Sequence, residues 1–74
     1  MDRKEILRGN VIRAEIVDSP SYGKTLVELT HVAGIKRPWR VYFNHRFLSS
    51  TADEARADRT YAACIKHKYP VLAR

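Results

Sequence analysis

Basic and aromatic side chains are concentrated in residues 36–50, KRPWRVYFNHRFLSS, and these are the residues best suited to chemistry. Five of them are candidate contacts for a nucleic acid: Lys36, Arg37, Arg40, Tyr42 and Arg46. Guanidinium groups bind phosphates and guanine edges through paired N–H donors, and a tyrosine can stack on a base or bond a phosphate. No acidic residue occurs between Glu28 and Asp53, so this segment indicates attraction to polyanions better than net charge alone does.

The residue types that carry catalysis or bind metals are present, but their spacing matches no catalytic or metal-binding motif. The acidic residues are scattered, and the histidines occupy the unrelated positions 31, 45 and 67. Cys64 is the single cysteine, so no disulfide can form within the chain, and its place in a predicted helix indicates a buried thiol. We therefore predict a protein that is not an enzyme and has no catalytic residues, cofactor or metal.

Length and composition indicate a single small domain spanning residues 1–74. The chain is 45% hydrophobic and 30% charged, as globular proteins are, and a chain of this size buries only roughly 60% of its unfolded surface. The net charge of +6 predicts attraction to polyanions such as a nucleic acid, an anionic membrane surface or an acidic protein. No uncharged run approaches the roughly 18 residues that span a bilayer, and the first ten residues are too charged for a signal peptide. We expect a cytoplasmic protein with no membrane contact.

Four segments have the alternation of apolar and polar residues that is typical of β-strands: residues 11–17, 25–33, 39–43 and 46–48. In the first segment Ile12, Ala14 and Ile16 fall on one face, with Arg13 and Glu15 on the other. This pattern predicts a half-buried strand. In the second, Val27 and Leu29 face opposite to Glu28 and Thr30.

The third strand is predicted to have one buried and one exposed face. Trp39, Val41 and Phe43 share a face, and we expect them to form the floor on which a helix packs. Arg40 and Tyr42 then point to the opposite side. Asn44-His45 follows as a tight hairpin turn, because asparagine tolerates the left-handed backbone that such turns require.

The exposed side of this sheet is the predicted binding surface. We expect Arg37, Arg40 and Arg46 to point to one exposed face, with Tyr42 among them. The alternative interpretation of these arginines is a solvated basic face without a partner.

A helix is predicted from residue 52 to residue 66 or 68, ending before Pro70. Its start has the pattern of a capping box, formed either by Ser50 with Asp53 or by Thr51 with Glu54. The residues expected to form its apolar stripe are Ala55, Ala62, Ile65 and Tyr69, widened by Tyr61. A shorter helix over residues 2–8 and a tail over residues 71–74 complete the predicted elements.

The run from residue 39 to residue 63 resembles the sheet-and-helix half of AP2/integrase-type DNA-binding domains. In that family a strand with a tryptophan and basic residues precedes a short strand, a Ser/Thr helix start and an acidic, alanine-rich helix. The matching segments are residues 39–43 (WRVYF), 47–50 (FLSS) and 51–57 (TADEARA). The resemblance implies a three-stranded antiparallel sheet packed on a C-terminal helix, with Arg37, Arg40 and Arg46 contacting the DNA major groove.

Double-stranded RNA-binding domains are a second resemblance, in the order of short helix, three strands and helix. Their basic cluster at the start of the last helix is replaced here by Asp53 and Glu54, so DNA is favoured over RNA. We predict an α+β fold, an antiparallel sheet of three to four strands packed against one C-terminal helix, that acts as a nucleic-acid-binding module for duplex DNA.

The alternative from another class is a protein-binding adaptor or inhibitor. A phage or mobile-element protein that docks on an acidic surface of a host complex would have the same size, charge and lack of catalytic motifs. The predicted strand over residues 11–17 also offers a sheet edge that could pair with a partner strand or with a second copy in a homodimer.

Overall fold

The computed structural model describes residues 9–70, which form a four-stranded antiparallel sheet followed by one helix. The elements are β1 (Asn10–Ser19), β2 (Gly23–His31), β3 (Trp39–Phe43), β4 (Arg46–Thr51) and α1 (Glu54–His67). The strands lie side by side in chain order, each antiparallel to the next. The predicted α+β class is confirmed. The helix predicted for residues 2–8 and the tail predicted for residues 71–74 lie outside the described residues.

The core lies between α1 and one face of the sheet. Val27 and Leu29 of β2 pair with Phe43 and Val41 of β3, so these four side chains share a face, and all four are buried. Trp39 lies on the same face and packs against this cluster at its margin. The predicted floor for the helix is therefore confirmed.

The face of α1 that packs on the sheet agrees only in part with the prediction. The buried helix residues are Ala57, Thr60 and Cys64, whereas Ala55 and Ala62 are exposed. Thr60 was not among the predicted stripe residues; its hydroxyl donates to the carbonyl of Arg56 at 3.1 Å, which satisfies this donor in its buried position. Tyr69 was also wrongly placed in the stripe, since it is exposed beyond the helix end, whereas Tyr61 and Ile65 do pack against the core. The predicted burial of Cys64 is confirmed.

The helix begins two residues later than predicted. Asp53 is the N-cap, and its carboxylate accepts a hydrogen bond from the Ala55 amide at 3.0 Å. Thr51 ends β4, and its hydroxyl accepts from the Asp53 amide at 3.1 Å. The capping boxes predicted at Ser50 and Thr51 are wrong because the strand continues through both residues. At the other end Lys68 adopts the left-handed conformation, and its amide donates to the Cys64 carbonyl at 2.8 Å.

The first strand is the clearest departure from the predicted burial. Of its ten residues only Val17 and Ser19 are buried, and Ile16 is 68% exposed. The alternation itself is correct, since Arg13 and Glu15 pair with residues of the helix-facing side and Ala14 and Ile16 do not. The strand is exposed because α1 lies over β2, β3 and β4.

Candidate nucleic-acid interface

Among residues 9–70 no helix or strand lies on the face of the sheet opposite α1, and we call this the open face; Thr30 and Glu28 on it are nevertheless buried. Residues that pair across antiparallel strands share a face, so the open face carries the side chains that alternate with the buried ones. In β3 these are Arg40 and Tyr42. Their neighbours in the register are Thr30 and Ser50 beside Arg40, and Glu28 and Phe47 beside Tyr42.

Arg40, Phe47 and Tyr42 form a contiguous group on the open face, the Arg40 cluster. The guanidinium carbon of Arg40 lies 5.4 Å from the centroid of the Phe47 ring, within the range of a cation–π contact. Tyr42 also meets the Phe47 ring edge-on, with the ring centroids 6.0 Å apart. Phe47 is 55% exposed, so its ring is accessible at this surface. The cluster therefore presents a cation and two aromatic rings side by side.

The stacked position of Arg40 constrains its hydrogen bonding. Its Nε is shielded from solvent and has no hydrogen-bond partner within residues 9–70. A guanidinium that is already oriented loses little side-chain entropy when its remaining N–H groups bind an anion. The geometry is therefore suited to a phosphate or carboxylate that approaches over the open face.

Lys36 and Arg37 lie in the loop of residues 32–38 that joins β2 to β3, and both are exposed. The amide of Val32 donates to the carbonyl of Pro38 at 2.9 Å, which closes the base of this loop. Two of the predicted site residues are thereby held at the end of the sheet where β3 begins. Arg40 is the second residue of that strand.

Arg46 is separated from the other predicted site residues. It pairs with Phe43 across the hairpin, so it lies on the helix side of the sheet and at the opposite end of β3 from Lys36. The expectation that Arg37, Arg40 and Arg46 share one face is therefore wrong. The physical reason is the two-residue turn: Asn44 and His45 both have positive φ, at 52° and 68°, which fixes Arg46 opposite Phe43.

Phe47 takes the place on the open face that was expected for Arg46, and sequence reasoning missed it. The signal was present, because a two-residue turn at Asn44-His45 requires Phe47 to pair with Tyr42. Because of this register, the open face carries the ring of Phe47 and not the guanidinium of Arg46.

The burial of Glu28 is a second feature of the open face that the sequence did not predict. It was expected on the same side as Thr30, which is correct, but it is only 3% exposed. Its carboxylate lies opposite Tyr42 and 3.8 Å from Nδ1 of His45. A carboxylate at this point opposes an anion near Tyr42, so an anion is best accommodated towards Arg40 and the loop with Lys36 and Arg37.

A cleft lies at the other end of the sheet, around Arg46. It is lined by Tyr22, Phe43, Asn44, Arg46, Phe47, Leu48 and Pro70. The ring of Tyr22 meets that of Phe43 edge-on at 5.6 Å between centroids. Arg46 therefore sits beside an aromatic cleft and not in the Arg40 cluster.

Comparison of the chain with protein-family models, with curated proteins and with solved structures finds no match. The resemblance to AP2/integrase-type domains therefore stays a prediction. Within residues 9–70 no group of three His, Cys, Asp or Glu side chains is placed to hold a metal ion. The helix in this part of the chain is too short and too polar to cross a membrane.

Proposed function

We propose that this protein is a non-enzymatic nucleic-acid-binding module that contacts duplex DNA with the Arg40 cluster and the adjoining basic loop. The observation that carries the proposal is the stacking of Arg40 on the exposed ring of Phe47, on a sheet face that α1 leaves uncovered. The loop with Lys36 and Arg37 adds two exposed cations at the same end of β3. The whole segment lacks acidic residues from position 29 to position 52.

In the proposed mechanism, some residues attract the DNA and others fix its orientation on the sheet. Lys36 and Arg37, which are exposed in the loop, attract phosphates and release counterions from the DNA. Arg40, which is held by Phe47, supplies a fixed fork for one phosphate or one guanine edge. Tyr42 and Phe47 supply contacts to sugar or base. Arg46, on the helix side, contributes only to the long-range field.

The experiment is a salt titration of binding to a labelled duplex by fluorescence anisotropy. We expect the logarithm of the association constant to fall linearly with the logarithm of salt concentration. Arg37→Gln and Arg40→Gln should each make that slope shallower by about 1, because each removes one phosphate contact. Arg59→Gln is the matched control, since Arg59 is exposed on the far side of α1.

Two results contradict the proposal. One is no binding at low salt, and the other is an Arg59→Gln variant that loses as much affinity and slope as Arg40→Gln does. Single-stranded DNA and duplex RNA, titrated in parallel, test the preference for duplex DNA. Tighter binding to either would retain a nucleic-acid partner and overturn the choice of duplex DNA.

A protein-binding adaptor or inhibitor is the second candidate, and the exposure of Phe47 favours it. Aromatic and arginine side chains that lie together are typical of the central contacts in protein interfaces. Poly-glutamate is a probe for an acidic protein surface. Poly-glutamate and an unlabelled second duplex are compared as competitors for the labelled duplex, with both concentrations expressed per unit charge. Displacement by much less poly-glutamate than unlabelled duplex would favour the adaptor.

A further inference from the structure

We propose that two copies of this protein pair through the free edge of β1, antiparallel about a two-fold axis at Ala14, to form a homodimer with one eight-stranded sheet. β1 is an edge strand of ten residues, with β2 as its only neighbour in the described sheet. An edge strand exposes a row of unpaired amide and carbonyl groups, which can hydrogen-bond with another strand.

The backbone groups that face this free edge follow from the hydrogen bonds at the two ends of the β2–β3 ladder. The amide of Val32 donates to Pro38, and the amide of Asn44 donates to the carbonyl of Leu26. In an antiparallel ladder, hydrogen-bonded and non-hydrogen-bonded pairs alternate. The even-numbered residues of β2 therefore direct their backbone groups to β3, and the odd-numbered residues direct theirs to β1.

The same alternation assigns the backbone groups of β1. Its residues Arg13, Glu15 and Val17 pair with the odd-numbered β2 residues Leu29, Val27 and Thr25, so their backbone groups point inward. The backbone groups of Ala14, Ile16 and Asp18 consequently point outward, away from the sheet. These three residues present a regular set of donors and acceptors at the edge.

In the central part of β1, residues 13–16, the side chains are apolar on the open face (Ala14 and Ile16) and charged on the helix face (Arg13 and Glu15). Val11 is 50% exposed and Ile16 is the most exposed large apolar residue of the described chain. Arg13 forms an ion pair with Asp58 at 3.2 Å, which still leaves its side chain 58% exposed. A second strand laid along this edge would cover apolar surface on one side and meet charges on the other.

Charge complementarity selects one register. With the two-fold axis at Ala14, Arg13 of each copy lies opposite Glu15 of the other, which gives two attractive cross-strand pairs. An axis at Arg13 or at Glu15 would place two like charges directly opposite each other. An axis at Ile16 would bring two isoleucines together and leave Arg13 and Glu15 without charged partners across the edge.

The bulge between Val11 and Arg13 limits how far this pairing extends. A bulge bends and twists the strand, so regular pairing is expected over the central residues and not over all ten. Such an edge contact buries less area than a standard protein interface. We therefore expect a dimer whose population rises with protein concentration.

Sedimentation velocity of the full chain over a concentration series tests the dimer. The protein should shift from monomer to dimer as its concentration increases. Glu15→Arg should weaken dimerisation about tenfold or more, because two attractive pairs become repulsive. The double variant Arg13→Glu with Glu15→Arg has the composition of the parent protein and should restore the dimer. Circular dichroism confirms that each variant is folded.

Ala14→Pro tests the edge independently of charge. Its amide points away from β2, so proline removes an intermolecular donor without breaking the β1–β2 ladder, and we expect a folded monomer. Ala14→Val keeps the amide and should still dimerise. A parent protein that stays monomeric throughout overturns the inference, as does a Glu15→Arg variant that dimerises like the parent or a double variant that stays monomeric.

Discussion

At the scale of single residues, the open face is defined by two charges of opposite sign. Arg40 is held over Phe47, whereas the buried carboxylate of Glu28 lies beside Tyr42 and near His45. An approaching phosphate is attracted by the first and repelled by the second. In the proposed complex, Glu28 would therefore limit where on this face DNA can lie.

Neutralising Glu28 should strengthen DNA binding. Glu28→Gln keeps a polar side chain of the same shape and removes one negative charge. We expect affinity for duplex DNA to rise about two- to fivefold, because removing one repulsive unit charge is worth roughly 0.5–1 kcal/mol. Anisotropy at low salt measures this, and a thermal melt shows whether the variant is folded. A folded variant with unchanged or weaker affinity would place the DNA elsewhere.

Tyr61 gives the protein a stability change at high pH. Burial raises the pKa of its hydroxyl above the ordinary value, and the nearby carboxylate of Glu15 raises it further, against a smaller opposing effect of Arg13. The folded state thus retains the Tyr61 proton to higher pH than the unfolded state does. Stability from Tyr61 is present below the unfolded pKa of about 10 and is lost as pH rises through the folded pKa.

Tyr61→Phe removes this titration. We expect the variant to lose less unfolding free energy than the parent as pH rises above about 10, with the two proteins similar at neutral pH. Urea denaturation at a series of pH values gives the comparison, and Tyr69→Phe, at an exposed residue, is the control. Parallel stability curves for the Tyr61 variant and the parent would contradict the raised pKa.

At the scale of elements, the ends of the helix and the hairpin are set by local chemistry. Asp53 caps the start of α1, and Lys68 ends it in the left-handed conformation with φ at 59°. A side chain in that conformation is strained, whereas glycine is not. Relief of this strain at Lys68 should therefore increase the free energy of unfolding.

Lys68→Gly should stabilise the fold by about 0.5–1 kcal/mol, because glycine adopts positive φ without steric cost. Lys66→Gly removes the same side chain from within the last turn of α1 and should destabilise by up to about 1 kcal/mol. Urea denaturation of both variants gives the two free energies. A Lys68→Gly protein less stable than the parent would contradict the assigned helix end.

The elements that could be predicted from sequence are those fixed by short-range patterns. The bounds of β3 and the Asn44-His45 turn follow from alternation and from turn chemistry alone. The burial of β1 could not be predicted, because alternation specifies which residues share a face but not which face α1 covers. Part of the packed face of α1 was also missed. Thr60 is polar, and its burial depends on a hydrogen bond from its hydroxyl to the carbonyl of Arg56 in the same helix.

The candidate site was predictable in part. Arg40 and Tyr42 were expected on the face opposite the helix because the strand pattern is strong, and the register places them there, where both are half-buried. The face on which Arg46 lies depends on the register across the hairpin, because a shift of one residue moves each side chain to the other face of the sheet. The contact between Arg40 and Phe47 depends on that same register.

At the scale of the whole molecule, α1 covers one face of the sheet, and no other helix or strand of residues 9–70 lies on the open face or along the outer edge of β1. In the proposed dimer the two-fold axis runs perpendicular to the sheet, so that paired residues keep their faces. Both open faces then lie on the same side. A dimer would present two Arg40 clusters to one DNA duplex.

If DNA binds the dimer across both Arg40 clusters, monomeric variants should show a weaker salt dependence of DNA binding. The folded Ala14→Pro protein should show a salt slope about half that of the parent, because one copy contacts half as many phosphates. Ala14→Val is the control. Equal slopes for the Pro and Val variants would show that each copy binds DNA alone.

The proposed DNA contact is tested most directly by the salt dependence of binding to duplex DNA. We expect binding at low salt that weakens linearly on logarithmic axes, with a slope that Arg40→Gln makes shallower and Arg59→Gln leaves unchanged. Absence of binding at low salt, or binding that does not respond to salt, would contradict it.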